Sequence, residues 1–188
     1  MRKIGIIAVL SLLVTALAAV PALAATFTPT FNTANAPTGT HLQTGTIQCV
    51  TNSADSLVTC STYELAGIGN LDARVRLTAS YSATVTCTNK GGELVEVKTK
   101  TPSTLVASAN VESKNGRVLI PTLNSGPIPS DATFEALATC PNRNWTKDVV
   151  EGSKQIQSFT YTVTFGTIQP NGTFVAAFPG PYLTITGT

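Results

Sequence analysis

Four cysteines, one histidine and ten acidic side chains carry most of the reactive chemistry in this 188-residue chain. Cys49, Cys60, Cys87 and Cys140 could hold a metal or form two disulfides. A zinc site draws on closely spaced ligand pairs, yet the chain contains no Cys-x-x-Cys, and His41 is its only imidazole. Two disulfides are therefore expected, with no metal and no cofactor. Three connectivities are open. Local context favours Cys49 with Cys60 and Cys87 with Cys140. Between the first two, VTNSADSLVT has a turn-like polar centre, Asn52 to Ser56, flanked by two β-type runs. On the loop-entropy relation the shorter ring contributes roughly 3 kcal/mol and the longer roughly 4 kcal/mol.

Catalytic constellations are harder to assemble. His41 lies in a weakly patterned stretch with no Gly-x-Ser-x-Gly elbow to accompany it. Ala66-Gly67-Ile68-Gly69-Asn70 is followed by no helical pattern, so it reads as a bend rather than a phosphate loop. Glu64, Asp72, Glu135, Asp148 and Glu151 could supply the paired carboxylates of a glycoside hydrolase if two converged across about 5 to 9.5 Å. Most of them fall in turns or beside bases, as in Lys147-Asp148, which is the pattern of solvated surface. The expectation is a non-catalytic binding or structural protein, with a small carboxylate-based hydrolase as the alternative.

Two segments echo each other: Cys87-Thr88-Asn89-Lys90-Gly91-Gly92 and Cys140-Pro141-Asn142-Arg143-Asn144-Trp145. In each, a cysteine is followed by x-Asn-Lys/Arg in what should be a loop. If the cysteines are bonded, the loops emerge side by side. Asn89, Lys90, Asn142, Arg143 and Trp145 then form a composite surface for a ligand, with the sole Trp as its anchor. Against this stands a structural reading: Asn shapes the turns, Lys and Arg keep them soluble, and Trp145 covers the bridge. The structural reading is favoured, because an isolated Trp is usually well buried.

The elements that must position these residues are strands. Over Asp72 to Thr88, DARVRLTASYSATVTCT, apolar and polar residues alternate without error, and Cys87 falls on the apolar side. Such a period of two marks a half-buried strand. The same pattern puts Phe134, Ala136, Ala138 and Cys140 inward over Ala132 to Cys140, and Phe159, Tyr161, Val163 and Phe165 inward over Gln155 to Phe165. Further strands are expected near Gly45 to Val50, Leu57 to Ala66, Glu93 to Lys100, Thr104 to Ser113, Arg117 to Leu123, Thr173 to Phe178 and Tyr182 to Thr186. Turn residues separate them, most sharply Asn115-Gly116, which suits a type I′ hairpin. The fold class is thus all-β, an antiparallel sandwich. Thr-x-Thr recurs along the chain at irregular intervals, which reads as the wet face of strands rather than a repeating ice-binding array.

Met1 to Ala24 has the layout of a signal peptide: Arg2 and Lys3, an apolar run from Ile4 to Val20, then Pro21-Ala22-Leu23-Ala24. Its removal takes away two of twelve basic residues and leaves ten basic against ten acidic, a formal charge of zero. Neutrality at only 12% charged residues argues against nucleic acid as a partner. No other run reaches the roughly 20 apolar residues that cross a bilayer. Residues 25 to 40 read as an extended lead-in and 41 to 188 as one domain. An exported protein with an extracellular ligand, a glycan or a protein, is expected. A further alternative is a surface subunit that self-assembles by strand exchange through the lead-in.

The segment LDARVRLTASYSATVTCTNKGG, with ATCPNRNW downstream, resembles a group of uncharacterised secreted bacterial proteins built on a Cys-bridged immunoglobulin-like β-sandwich. The resemblance covers about the central half of the chain and implies a fold and a compartment but no activity. Trp145 follows the second cysteine, whereas immunoglobulin domains place their core Trp between the two.

Overall fold

The computed structural model describes residues 24–52 and 56–188. The expected leader lies outside these residues except for Ala24, as do residues 53–55 of the expected turn. Fifteen strands are present among the described residues: β1 (Ala24–Phe27), β2 (Thr30–Phe31), β3 (His41–Gly45), β4 (Cys49–Asn52), β5 (Leu57–Cys60), β6 (Tyr63–Ala66), β7 (Asp72–Thr88), β8 (Leu94–Lys100), β9 (Thr104–Val111), β10 (Arg117–Ile120), β11 (Leu123–Asn124), β12 (Thr146–Val149), β13 (Gln155–Ile168), β14 (Phe174–Ala176) and β15 (Leu183–Gly187). A 3-10 turn at Thr33–Asn35 and one short α-helix, α1 (Asp131–Leu137), interrupt them. The strands pair antiparallel throughout, so the architecture is the all-β, sandwich-like one expected.

The first layer is built on β7, whose bounds match the perfect alternation in its sequence. Ala73, Val75, Leu77, Ala79, Tyr81, Ala83, Val85 and Cys87 are all buried. On one side β9 pairs with its first half and β8 with its second; on the other lie β13 and β12. Beyond β13 come β15 and β14, and β2 closes the edge on β15.

In the second layer, the long strands expected over Leu57 to Ala66 and Arg117 to Leu123 are each broken once. Cys60 pairs with Leu123 and Tyr63 with Ile120, so one register continues across the break at Ser61-Thr62 and Pro121-Thr122. Pro121 has no N–H to give the ladder, and the strand pair bends there while keeping its partners. Gly45 (φ 84) likewise ends β3 before β4 starts at Cys49, dividing the strand expected over Gly45 to Val50. Within residues 25 to 40, β1 pairs onto β4 and β2 onto β15, and a 3-10 turn at Thr33–Asn35 follows, so this segment is stitched into both layers.

Both favoured disulfides are present, Cys49–Cys60 between directly opposed residues of β4 and β5, and Cys87–Cys140 between β7 and the loop after α1. The strand expected over Ala132 to Cys140 is instead α1, and Ala136, expected inward, is exposed. Phe134 and Ala138 are buried, and their spacing of four residues satisfies a helix as well as a strand. Ala, Glu and Leu favour the helix, Asp131 sits in its first turn, and Lys147 Nζ donates to the carbonyls of Glu135 and Ala138 at its end.

One core fills the space between the layers. The hydroxyls of Tyr63 on β6 and Tyr161 on β13 hydrogen-bond at 3.0 Å across it, which satisfies two polar groups that water cannot reach. Burial raises both pKa values, that of Tyr161 to about 12.

Candidate functional site

The two loops singled out from the sequence do come together. Thr146 pairs with Thr88, so Asn89 and Trp145 leave neighbouring strands at the same end of the first layer. The asparagines there are engaged in their own turns. Asn89 Oδ1 accepts from the N–H groups of Gly91 (2.8 Å) and Glu93 (2.9 Å), and its Nδ2 donates to Glu93 Oε2. Asn142 Oδ1 accepts from the Asn144 N–H at 3.0 Å. Lys90 and Arg143 are exposed, and Trp145 is half-buried. The loops thus form a closed, self-satisfied end whose Trp is only partly withdrawn from solvent.

Among the carboxylates, Asp72 is committed to the backbone. Its two oxygens accept from Ser113 N–H (2.9 Å) and Ile168 N–H (2.8 Å), tying the start of β7 to the ends of its neighbours. Glu64 stands 4.0 Å from Arg117 and lines a groove of about 700 Å³ with Glu112 and Lys114. Glu135, Asp148 and Glu151 do not line that groove. His41 Nδ1 donates to the Gly39 carbonyl at 2.7 Å. No group of three or more His, Cys, Asp or Glu side chains is arranged to hold a metal among the described residues.

A different constellation stands on the outer face of the first layer, where the polar side of β7 meets those of β9 and β13. Arg74 pairs with Asn110 and Thr164, and Arg76 with Ser108 and Thr162. These residues belong to the solvent side because the strand period sends Ala73 and Val75 inward. Arg74, Arg76, Leu105, Ser108 and Asn110 line a groove of about 340 Å³. Arg74 is held in place: its Nε donates to Asn110 Oδ1 at 3.0 Å and its guanidinium lies 4.4 Å from the centre of the Phe174 ring. Phe174 can lie there because position 166 is glycine; a Cβ on Gly166 would collide with the Phe174 ring and the Val175 carbonyl.

Among the described residues, neither arginine has an acid partner. The two ion pairs among the described residues are Arg117–Glu64 and Lys154–Asp131, and no hydrogen bond occupies Arg76. Around them the register assembles hydroxyls that are scattered in sequence. Arg76, Thr162, Thr184 and Thr30 form one row across four strands, and Thr78, Thr160 and Thr186 another. The Thr-x-Thr intervals that look irregular along the chain are thus brought into line by strand pairing. Sequence reasoning placed Arg74 and Arg76 on a wet face but did not single them out. The available signal was two arginines two residues apart on a strand whose other wet positions, after Asp72, are Ser and Thr.

Compared with known families, curated proteins and solved structures, the chain shows no significant match.

Proposed function

We propose that this chain is an exported, disulfide-braced binding module of the immunoglobulin-like sandwich kind, which recognises a component outside the cell with the outer face of its first layer. The observation that carries this reading is the pair of guanidinium groups, Arg74 and Arg76, in a groove where neither has an ion pair with an acid among the described residues. Arg74 is pre-organised for a ligand by Asn110 and the Phe174 ring, so it has less side-chain freedom to lose on binding, while Arg76 stands exposed beside it on the same rigid strand. Two bonded cysteine pairs suit an oxidising compartment, and no helix of the described residues is long and apolar enough to cross a membrane. Met1 to Ala24 serves as the export signal in this reading. The Cys87–Cys140 bridge ties a strand to a loop, unlike the cross-sheet bridge of antibody domains, so the likeness is one of layers.

The test uses protein recovered from the medium of an exporting host. N-terminal sequencing should begin at Ala25, and glycan and protein arrays should show a ligand whose binding falls at least tenfold in R74Q/R76Q. Retention in the cell with an intact N-terminus, or an array with no ligand at all, would sink the reading.

A further inference from the structure

We infer that the ligand of this face is an acidic polysaccharide, bound with its carboxylates on Arg74 and Arg76 and its hydroxyls on the adjoining threonine rows. This deepens the binding reading above and rests on it. Charge decides the first point. Two guanidinium groups stand on one face at alternate positions of β7, about 6.6 Å apart along the strand, and among the described residues neither has a carboxylate within ion-pair distance. A planar guanidinium matches a carboxylate through two parallel N–H···O bonds. Arg74 already spends its Nε on Asn110, which leaves the outer nitrogens of the fork for a ligand.

The surroundings decide the class of macromolecule. Thr162, Thr184 and Thr30 continue the Arg76 row, and Ser108 and Asn110 flank the arginines on the other side. The hydroxyls of Thr162, Thr184 and Ser108 can both donate and accept, as sugar hydroxyls do, while Thr30, whose hydroxyl donates to the Thr184 carbonyl, keeps acceptor capacity and Asn110, whose Oδ1 accepts from Arg74, keeps its amide donors. Leu105, 47% exposed in the same groove, offers a small apolar surface to the C–H face of a sugar ring. A peptide strand would instead add to a sheet edge, whereas this site is on a face. Single-stranded nucleic acid would need aromatic platforms for its bases, and the ring at this site, Phe174, is 8% exposed and covered by Arg74.

The experiment titrates the exported protein with sodium polygalacturonate, with its fully methyl-esterified form, and with dextran sulfate, by calorimetry at low and moderate salt. Polygalacturonate should bind, the esterified chain should bind at least tenfold more weakly, and added salt should weaken the complex. R76Q, which removes an exposed side chain with no hydrogen bond or ion pair among the described residues, should lower affinity about tenfold without moving the melting temperature. R74Q/R76Q should abolish binding.

Equal affinity for the esterified polymer would overturn the inference, and so would an R76Q protein that binds like wild type. Tighter binding of dextran sulfate than of polygalacturonate would overturn it in favour of unselective anion attraction. Binding of a neutral glycan or a protein alone would overturn the acidic class while leaving the binding module intact. No binding to any array component would remove both.

Discussion

The strand β7 carries polar groups at both ends, and the two ends use them oppositely. Near Cys87, Asn89 and Asn142 turn their side chains onto the N–H groups of their own loops, and the bridge to Cys140 closes the region around them. Near its start, Arg74 is held in place by a neutral amide and an aromatic ring, and Arg76 makes no hydrogen bond or ion pair among the described residues. The first arrangement satisfies its hydrogen bonds internally, so a ligand gains little by displacing them. In the second, two charges stand side by side, one of them braced, with no acid partner among the described residues. An echo in sequence, such as the paired Cys-x-Asn-Lys/Arg segments, marked the end that builds turns rather than the face that leaves groups free.

The sharpest way to break this contrast is to cut the bridge that closes the loop end. C87A/C140A should lose about 4 kcal/mol of stability, a fall in melting temperature of roughly 8 to 16 °C for a chain of this size. If recognition belongs to the Arg74 face, polygalacturonate affinity at 20 °C should change less than twofold. A large loss of binding in a protein still folded at that temperature would relocate recognition to the loops around Trp145.

Alkaline pH separates the two regions differently. Tyr63 and Tyr161 are held protonated by burial, above the ordinary value of 10.0 that they regain on unfolding. Below about pH 10 the unfolded and folded states keep the same phenolic protons, and stability is level. As pH rises through the window up to about 12 for Tyr161, the unfolded chain releases protons that the folded chain retains, so stability falls. Each tyrosine contributes up to about 1.4 kcal/mol per pH unit there. Urea titrations at pH 8, 9, 10 and 11 should show the decline, shallower in Y161F. Guanidinium stays charged throughout, so ligand binding should persist until the fold goes. Binding that fades while the fold persists would place recognition on groups other than the two guanidiniums.

The period of two over β7 was legible in sequence because every second residue from Ala73 to Cys87 is buried. Both disulfides were readable from the turn-like centre between Cys49 and Cys60 and from the inward position of Cys87. The helix over Asp131–Leu137 was misread because Phe134 and Ala138 fit both periods; exposed Ala136 is what tells them apart. The functional face was hidden for a different reason. Thr30, Thr162 and Thr184 are far apart in the chain, and only pairing in space makes them a row beside Arg76.

The smallest effects lie at the loop end and sharpen the contrast from the other side. N89A removes an acceptor of two backbone N–H groups, and its cost should be about 1 kcal/mol, read as a modest shift in the urea midpoint. K90Q/R143Q removes two exposed charges and should change stability by less than about 0.5 kcal/mol. Neither should alter polygalacturonate affinity by more than twofold, because long-range attraction between exposed charges is screened at moderate salt. If K90Q/R143Q weakened the complex as much as R76Q does, the two ends of β7 would be acting together, and the polysaccharide would have to run the length of the strand.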